Sequence, residues 1–182
     1  MSQIAQNLEI VRQNIKKAAE KSGRKAEDIT LVAVTKTHTA EDINEAIKCG
    51  VTDIGENKVQ EIMEKYDRVK KGVRWHLIGH LQTNKVKYII DKVYMIHSVD
   101  SVKLLDEIEK KKKKHGIDKM RVLIQVNITN EETKSGIDAA QLGEILEYVN
   151  CLKHVKVCGL MTILSKFDSD NANRLYFRDI NN

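Results

Sequence analysis

Residues 29–50, ITLVAVTKTHTAEDINEAIKCG, change period halfway along. The first eight read as an apolar, β-branched strand running into Lys36. The rest reads as a helix capped by Thr39 or Thr37, with acids in its first turn and Gly50 at its close. The same unit recurs along the chain. VTDIGEN (51–57) is a short strand, followed by a helix carrying Val59, Ile62, Met63 and Tyr66 inward. VRWHLIG (73–79) precedes the helical NKVKYIID, and VYMIHSV (93–99) precedes a helix through Val102, Leu105 and Ile108. MRVLIQVNI (120–128), the longest strand by this reading, precedes a helix through Leu142, Ile145, Leu146 and Val149; VKVCGLMTI (155–163) is the sixth strand. Ahead of them all, Ile4, Leu8, Val11 and Ile15 mark one face of an amphipathic helix ending near KSGR.

Six strands alternating with helices, and apolar on both faces, indicate a parallel sheet covered by helices. An open doubly wound sheet and a (β/α) barrel both fit. In either, ligands gather at the carboxyl ends of the strands. Lys36, Asn57, Gly79 with His80, Ser98, Asn127 and Met161 all fall there.

The 182 residues, 41% hydrophobic and 31% charged, suit one soluble domain. No apolar run approaches the roughly 20 residues that span a bilayer, so no membrane association is expected. Cys49, Cys151 and Cys158 lack metal-ligand spacing and read as reduced thiols of a cytoplasmic protein. Cys158, inside an apolar strand, reads as packing. The net charge of +5 owes much to EKKKKKHG at 109–116. That run suits the negative end of a helix dipole closed by Gly116, and with no interleaved aromatics it does not indicate nucleic acid.

Phosphate-loop and dinucleotide fingerprints are absent from the sequence. His76 and His80 lie four apart in a strand, about 13 Å from each other, too far to share a metal; no metal site is expected. Asn57 serves equally as a helix cap or a ligand contact, and KSG (134–136) equally as an anion contact or a turn. That leaves Lys36. Val32 and Val34 share its strand face, so the amine is expected to be desolvated and able to attack an aldehyde. Schiff-base aldolases and pyridoxal-phosphate proteins both use such a lysine, and spacing does not choose between them.

Read in order, LVAVTKT, DIGENKVQE, WHLIGHLQTNKVK, IHSVDS, VNITNEETKSGI and VCGLMTI resemble the pyridoxal phosphate homeostasis proteins over nearly the whole chain. The resemblance implies the fold of the alanine racemase amino-terminal domain, a TIM-barrel-like parallel barrel. It implies that Lys36 carries pyridoxal 5′-phosphate (PLP) as an internal aldimine, with Asn57, His76 and Met161 as further pocket residues. It also implies a cytoplasmic PLP carrier in cofactor homeostasis rather than an enzyme, since a racemase needs a second domain supplying an opposing base. A PLP or Schiff-base enzyme acting on amino acids, racemase- or lyase-like, is the alternative, and a non-catalytic interaction module a third. Two departures stand out. Ala40 and LSKF replace the prolines usual in the family, and the sequence reaches NRLYFRDINN where members continue with a serine-containing motif and a final strand. Residues 1–182 are therefore expected to form one PLP-binding domain with about six of eight strands, lacking the seventh and eighth. Family members are expected to be monomers, and this chain to bind PLP weakly and to associate.

Overall fold

The computed structural model describes residues 2–116, 118–128, 135–164 and 170–181. Its strands are β1 (Val32–Val34), β2 (Asp53–Glu56), β3 (Arg74–Leu77), β4 (Met95–Val99), β5 (Met120–Gln125) and β6 (Val155–Met161). The helices are α1 (Gln3–Lys21), α2 (Ala40–Lys48), α3 (Val59–Lys65), α4 (Val86–Ile89), α5 (Val102–Lys113), α6 (Leu142–Val149) and α7 (Asp170–Asn181). One sheet holds the strands in chain order, every neighbouring pair parallel. This sequential order is that of a (β/α) barrel, because a doubly wound sheet reverses direction at a switch point. Among the described residues β1 and β6 are not paired, so the barrel is open between them.

Local chemistry sets the boundaries. Thr39, not Thr37, caps α2: its Oγ1 accepts from the Asp42 amide at 3.2 Å, and Asp42 Oδ2 accepts from the Thr39 amide at 3.2 Å. Gly50 follows with φ 85°, a conformation that suits glycine. Ser2 and Ser101 cap α1 and α5 with the hydroxyl alone, accepting from the Ala5 and Leu104 amides.

The helix-facing side of the sheet is a continuous core. Ile54, Leu77, Ile96, Val122 and Ile124 are fully buried against Ile43, Ile62, Ile89, Leu105 and Ile108 of the helices. Full burial of each such side chain stabilises by roughly 1.5–3 kcal/mol.

The opposite face departs from the expectation of strands apolar on both sides. Asp53, Arg74, His76 and His97 meet there in a polar chain. The inside of a barrel is narrow and admits polar groups that satisfy one another. Three smaller expectations also change. Met63 is 42% exposed while Lys65 is buried, because Lys65 lies three residues beyond Ile62 on the buried stripe and Met63 one step round the helix. The longest strand is β6, with seven residues, not β5, with six. Cys158 is exposed, in a strand whose alternation with β5 slips between Val122 and Leu123. None of the three cysteines is in a disulfide. Among the described residues no helix is long and apolar enough to cross a membrane.

Candidate functional site

At the carboxyl ends of the strands lies a cavity of about 550 Å³. Lys36, Asn57 and Met161 line it together, as do Val32, Val34 and Ile78, which form apolar walls. Its volume is within the ordinary range for small-molecule sites, roughly 300–1,000 Å³. Lys36 itself is exposed, so the desolvation expected of it is not present in this structure. What surrounds it instead is a rigid backbone.

Lys36 sits between two anchored neighbours. Lys65, only 8% exposed, donates from Nζ to the Thr35 carbonyl at 3.0 Å, to Glu56 Oε1 at 2.8 Å and to Glu61 Oε2 at 2.7 Å. Thr35 Oγ1 donates to the same Glu56 oxygen at 2.8 Å. On the other side, the Thr37 amide donates to Glu61 Oε2 at 2.9 Å. Burial opposes the charge on Lys65, yet hydrogen bonds to Glu56 and Glu61 outweigh it and hold its pKa above the ordinary value. The hydrogen bonds from Lys65 and the Thr37 amide in turn hold Glu61 below the carboxylate range. Both ions are thus maintained, and both flanks of Lys36 are tied to them. Thr37 has φ 67°, an unfavourable value for a β-branched residue. Such a conformation costs on the order of 1–3 kcal/mol and persists only where its surroundings enforce it.

Asn57 does not cap the following helix; Lys58 occupies the cap position of α3, and Asn57 faces the cavity. Gly79 explains how its backbone fits. A Cβ there would stand 2.4 Å from the Asn57 carbonyl oxygen and 2.8 Å from its Cα. The ends of β2 and β3 therefore approach more closely than any side chain permits. Ser98 Oγ braces the same point, donating to the Gly79 carbonyl at 2.6 Å.

Across the cavity, residues 135–137 lie along the end of β5. The Ile137 amide donates to the Gln125 carbonyl at 2.8 Å, and Gln125 Nε2 donates to the Ser135 carbonyl at 2.9 Å. Gly136, at φ 131°, permits this approach, since a Cβ would lie 2.7 Å from the Asn127 nitrogen. Lys134 lies outside the described residues. Among the described residues no cluster of three or more metal-binding side chains occurs.

His76 is placed differently from its expectation as a pocket residue. It is buried one layer below the cavity, with Nε2 2.8 Å from Asp53 Oδ1 and Nδ1 2.8 Å from His97 Nε2. His97, which motif reading passed over, lines the cavity. Beneath, Arg74 grips Asp53 with two bonds, Nε to Oδ1 at 2.7 Å and Nη2 to Oδ2 at 2.6 Å. Desolvation raises the Asp53 pKa, but bonds from Arg74, Thr52 and His76 outweigh it and keep the carboxylate below its ordinary range. The one signal that could have found His97 is its alignment, a period-two step on β4, beside the row that carries His76.

An exposed amine on a fixed backbone, beside apolar walls and a polar rim, suits an aromatic aldehyde that also carries polar substituents. The alanine racemase N-terminal domain family matches residues 6–182. The pyridoxal phosphate homeostasis protein of Aquifex aeolicus is 44% identical over 176 residues, spanning 96% of this chain and 77% of that protein. PipY of Synechococcus elongatus, solved with PLP bound, superposes with TM-score 0.85 at 29% identity, over 98% of this chain and 79% of PipY. Alanine racemase of Clostridium difficile shares the fold at TM-score 0.72 and 18% identity, over 92% of this chain and 46% of the racemase. The chain belongs to the alanine racemase N-terminal domain family and, within it, to the pyridoxal phosphate homeostasis proteins.

Proposed function

We propose that this protein binds PLP in the cavity above the sheet, holds it covalently through Lys36, and serves intracellular PLP homeostasis. The observation that carries this reading is the placement of Lys36, an exposed amine in an apolar-walled cavity with both flanking residues anchored. The relatives' names and the PLP-bound neighbour point the same way. When bound, PLP supplies an aldehyde reactive toward amines. Lys36 would supply the amine, Val32, Val34 and Ile78 would offer apolar walls to an aromatic ring, and Asn57 and Met161 would border the occupant. A cytoplasmic location accords with this role.

We propose further that the protein is a carrier rather than an amino-acid racemase. Two-sided proton exchange needs a second base facing the first across the cofactor. The relatives' names describe homeostasis and no reaction, which supports this reading.

Borohydride reduction in the presence of PLP tests the assignment. One cofactor mass should be fixed on the peptide containing Lys36, and Lys36→Ala should abolish it. Labelling confined to Lys134 or to lysines 110–114 would overturn it. In a separate preparation with PLP and no borohydride, alanine should racemise no faster than with free PLP, and robust Lys36-dependent turnover would establish an enzyme.

A further inference from the structure

Below the cavity the polar chain has a direction, and the direction follows from valence. Asp53 accepts from Arg74 twice, from Thr52 Oγ1 at 2.7 Å and from His76 Nε2. An ionised carboxylate has no proton to give. His76 Nε2 must therefore carry the hydrogen. In a neutral imidazole the other nitrogen is then a bare acceptor, so Nδ1 of His76 receives its 2.8 Å bond from His97 Nε2–H. The same rule applied once more leaves Nδ1 of His97 without a hydrogen. No bond to that nitrogen forms among the described residues, and His97 lines the cavity.

We propose that Asp53 and His76 are positioning residues that fix His97 as its Nε2–H tautomer, so that His97 offers the cavity a hydrogen-bond acceptor and holds an N–H or O–H group of the occupant. Both rings are held toward the neutral form. Burial is the largest influence on both His76 and His97 and lowers both pKa values, that of His97 to about 4. The inference rests on the PLP reading only for the identity of the occupant. PLP carries a ring nitrogen able to bear a proton, which meets the requirement; its phenolic oxygen, ionised at neutral pH, is itself an acceptor and does not.

Long-range proton–nitrogen correlation spectra of the ¹⁵N-histidine-labelled protein without ligand test the tautomers. Near pH 7.5, Nε2 of both residues should be protonated and Nδ1 of both bare. A proton on His97 Nδ1 overturns the inference whether or not PLP binds. In Asp53→Asn the amide can donate to His76 Nε2, and the chain should reverse, placing the His97 proton on Nδ1. A donor would then face the occupant's donor, and the Kd for PLP should rise about tenfold. Where that variant does not fold, the wild-type spectrum decides alone. Adding PLP should move the His97 Nδ1 resonance toward the hydrogen-bonded value. PLP fixed on Lys36 with that resonance unmoved would overturn the contact. PLP that fails to bind at all, with the tautomers as assigned, would instead overturn the functional reading and leave the polarity of His97 standing.

Discussion

Thr37, Lys65 and His97 show how far single residues can depart from what their neighbours in sequence suggest. A lysine in a helix ordinarily faces water, and only the convergence of Glu56, Glu61 and the Thr35 carbonyl makes its burial stable. Glu61 stands four residues before Lys65 on α3, but Glu56 and Thr35 arrive from β2 and from just beyond β1, so no local pattern announces those two. Lys36 was legible because it stands where an apolar run ends at the ligand side of the fold. His76 was legible as part of a motif but not as to depth, because residues two apart on a strand share a face yet lie nearly 7 Å apart along it. One consequence is a pH dependence. The folded-state pKa of His97 is about 4, against an ordinary 6.5. Between these values the unfolded chain binds a proton that the folded chain refuses, so stability is full above pH 6.5 and falls as pH falls toward 4. The groups facing His97 are His76 from β3, with Asp53 behind it, and Lys36 and His80 around the cavity. Buried His76, also lowered, contributes in the same direction. The depressed carboxylates Asp53 and Glu61 lose their contributions at lower pH, within the carboxylate range. Thermal melting between pH 6.5 and 5 should therefore fall more steeply in the wild type than in His97→Gln. Parallel slopes would show that His97 is not held neutral by the fold.

At the scale of elements, the alternation of strands and helices was readable almost throughout, since α1, α2 and α5 each bring a capping hydroxyl and a glycine beyond their ends. What the pattern did not reveal is how closely neighbouring elements approach. Gly79 falls within a recognisable motif, yet its reason is contact between the backbones of two strand ends that lie 22 residues apart in sequence. Gly79→Ala should push Asn57 away, because the obstructing atoms are backbone and cannot rotate aside. Overpacking of this kind costs roughly 1–3 kcal/mol. For a chain of this size that lowers Tm by roughly 2–4 °C per kcal/mol. Because the displaced segment borders the cavity, borohydride trapping of PLP on Lys36 should decline as well. A variant melting with the wild type would mean that the strand ends separate freely.

The molecule as a whole is a sheet whose first and last described strands both reach the cavity but not each other. Lys36 follows β1, Met161 ends β6, and Val34 beside them is 50% exposed. Sequence periodicity could not distinguish this curved arrangement from a flat doubly wound sheet, because the choice rests on strand order, which long-range pairing decides. The geometry makes an occupant a bridge between strands that no hydrogen bond joins among the described residues. A ligand that binds only the folded state at a hundred times its Kd stabilises by about 2.7 kcal/mol. For a chain of this size the corresponding rise in Tm is roughly 5–10 °C. PLP should produce such a rise, and Lys36→Ala should shrink it, because a covalent anchor on the β1 side is lost. Hydrogen exchange supplies the spatial test. Amides of β1 and β6 should gain protection together on adding PLP, although they stand at opposite ends of the strand order. Protection confined to β5 and β6 would show that the occupant rests on one side of the cavity, and Lys36 would then have no part in holding it.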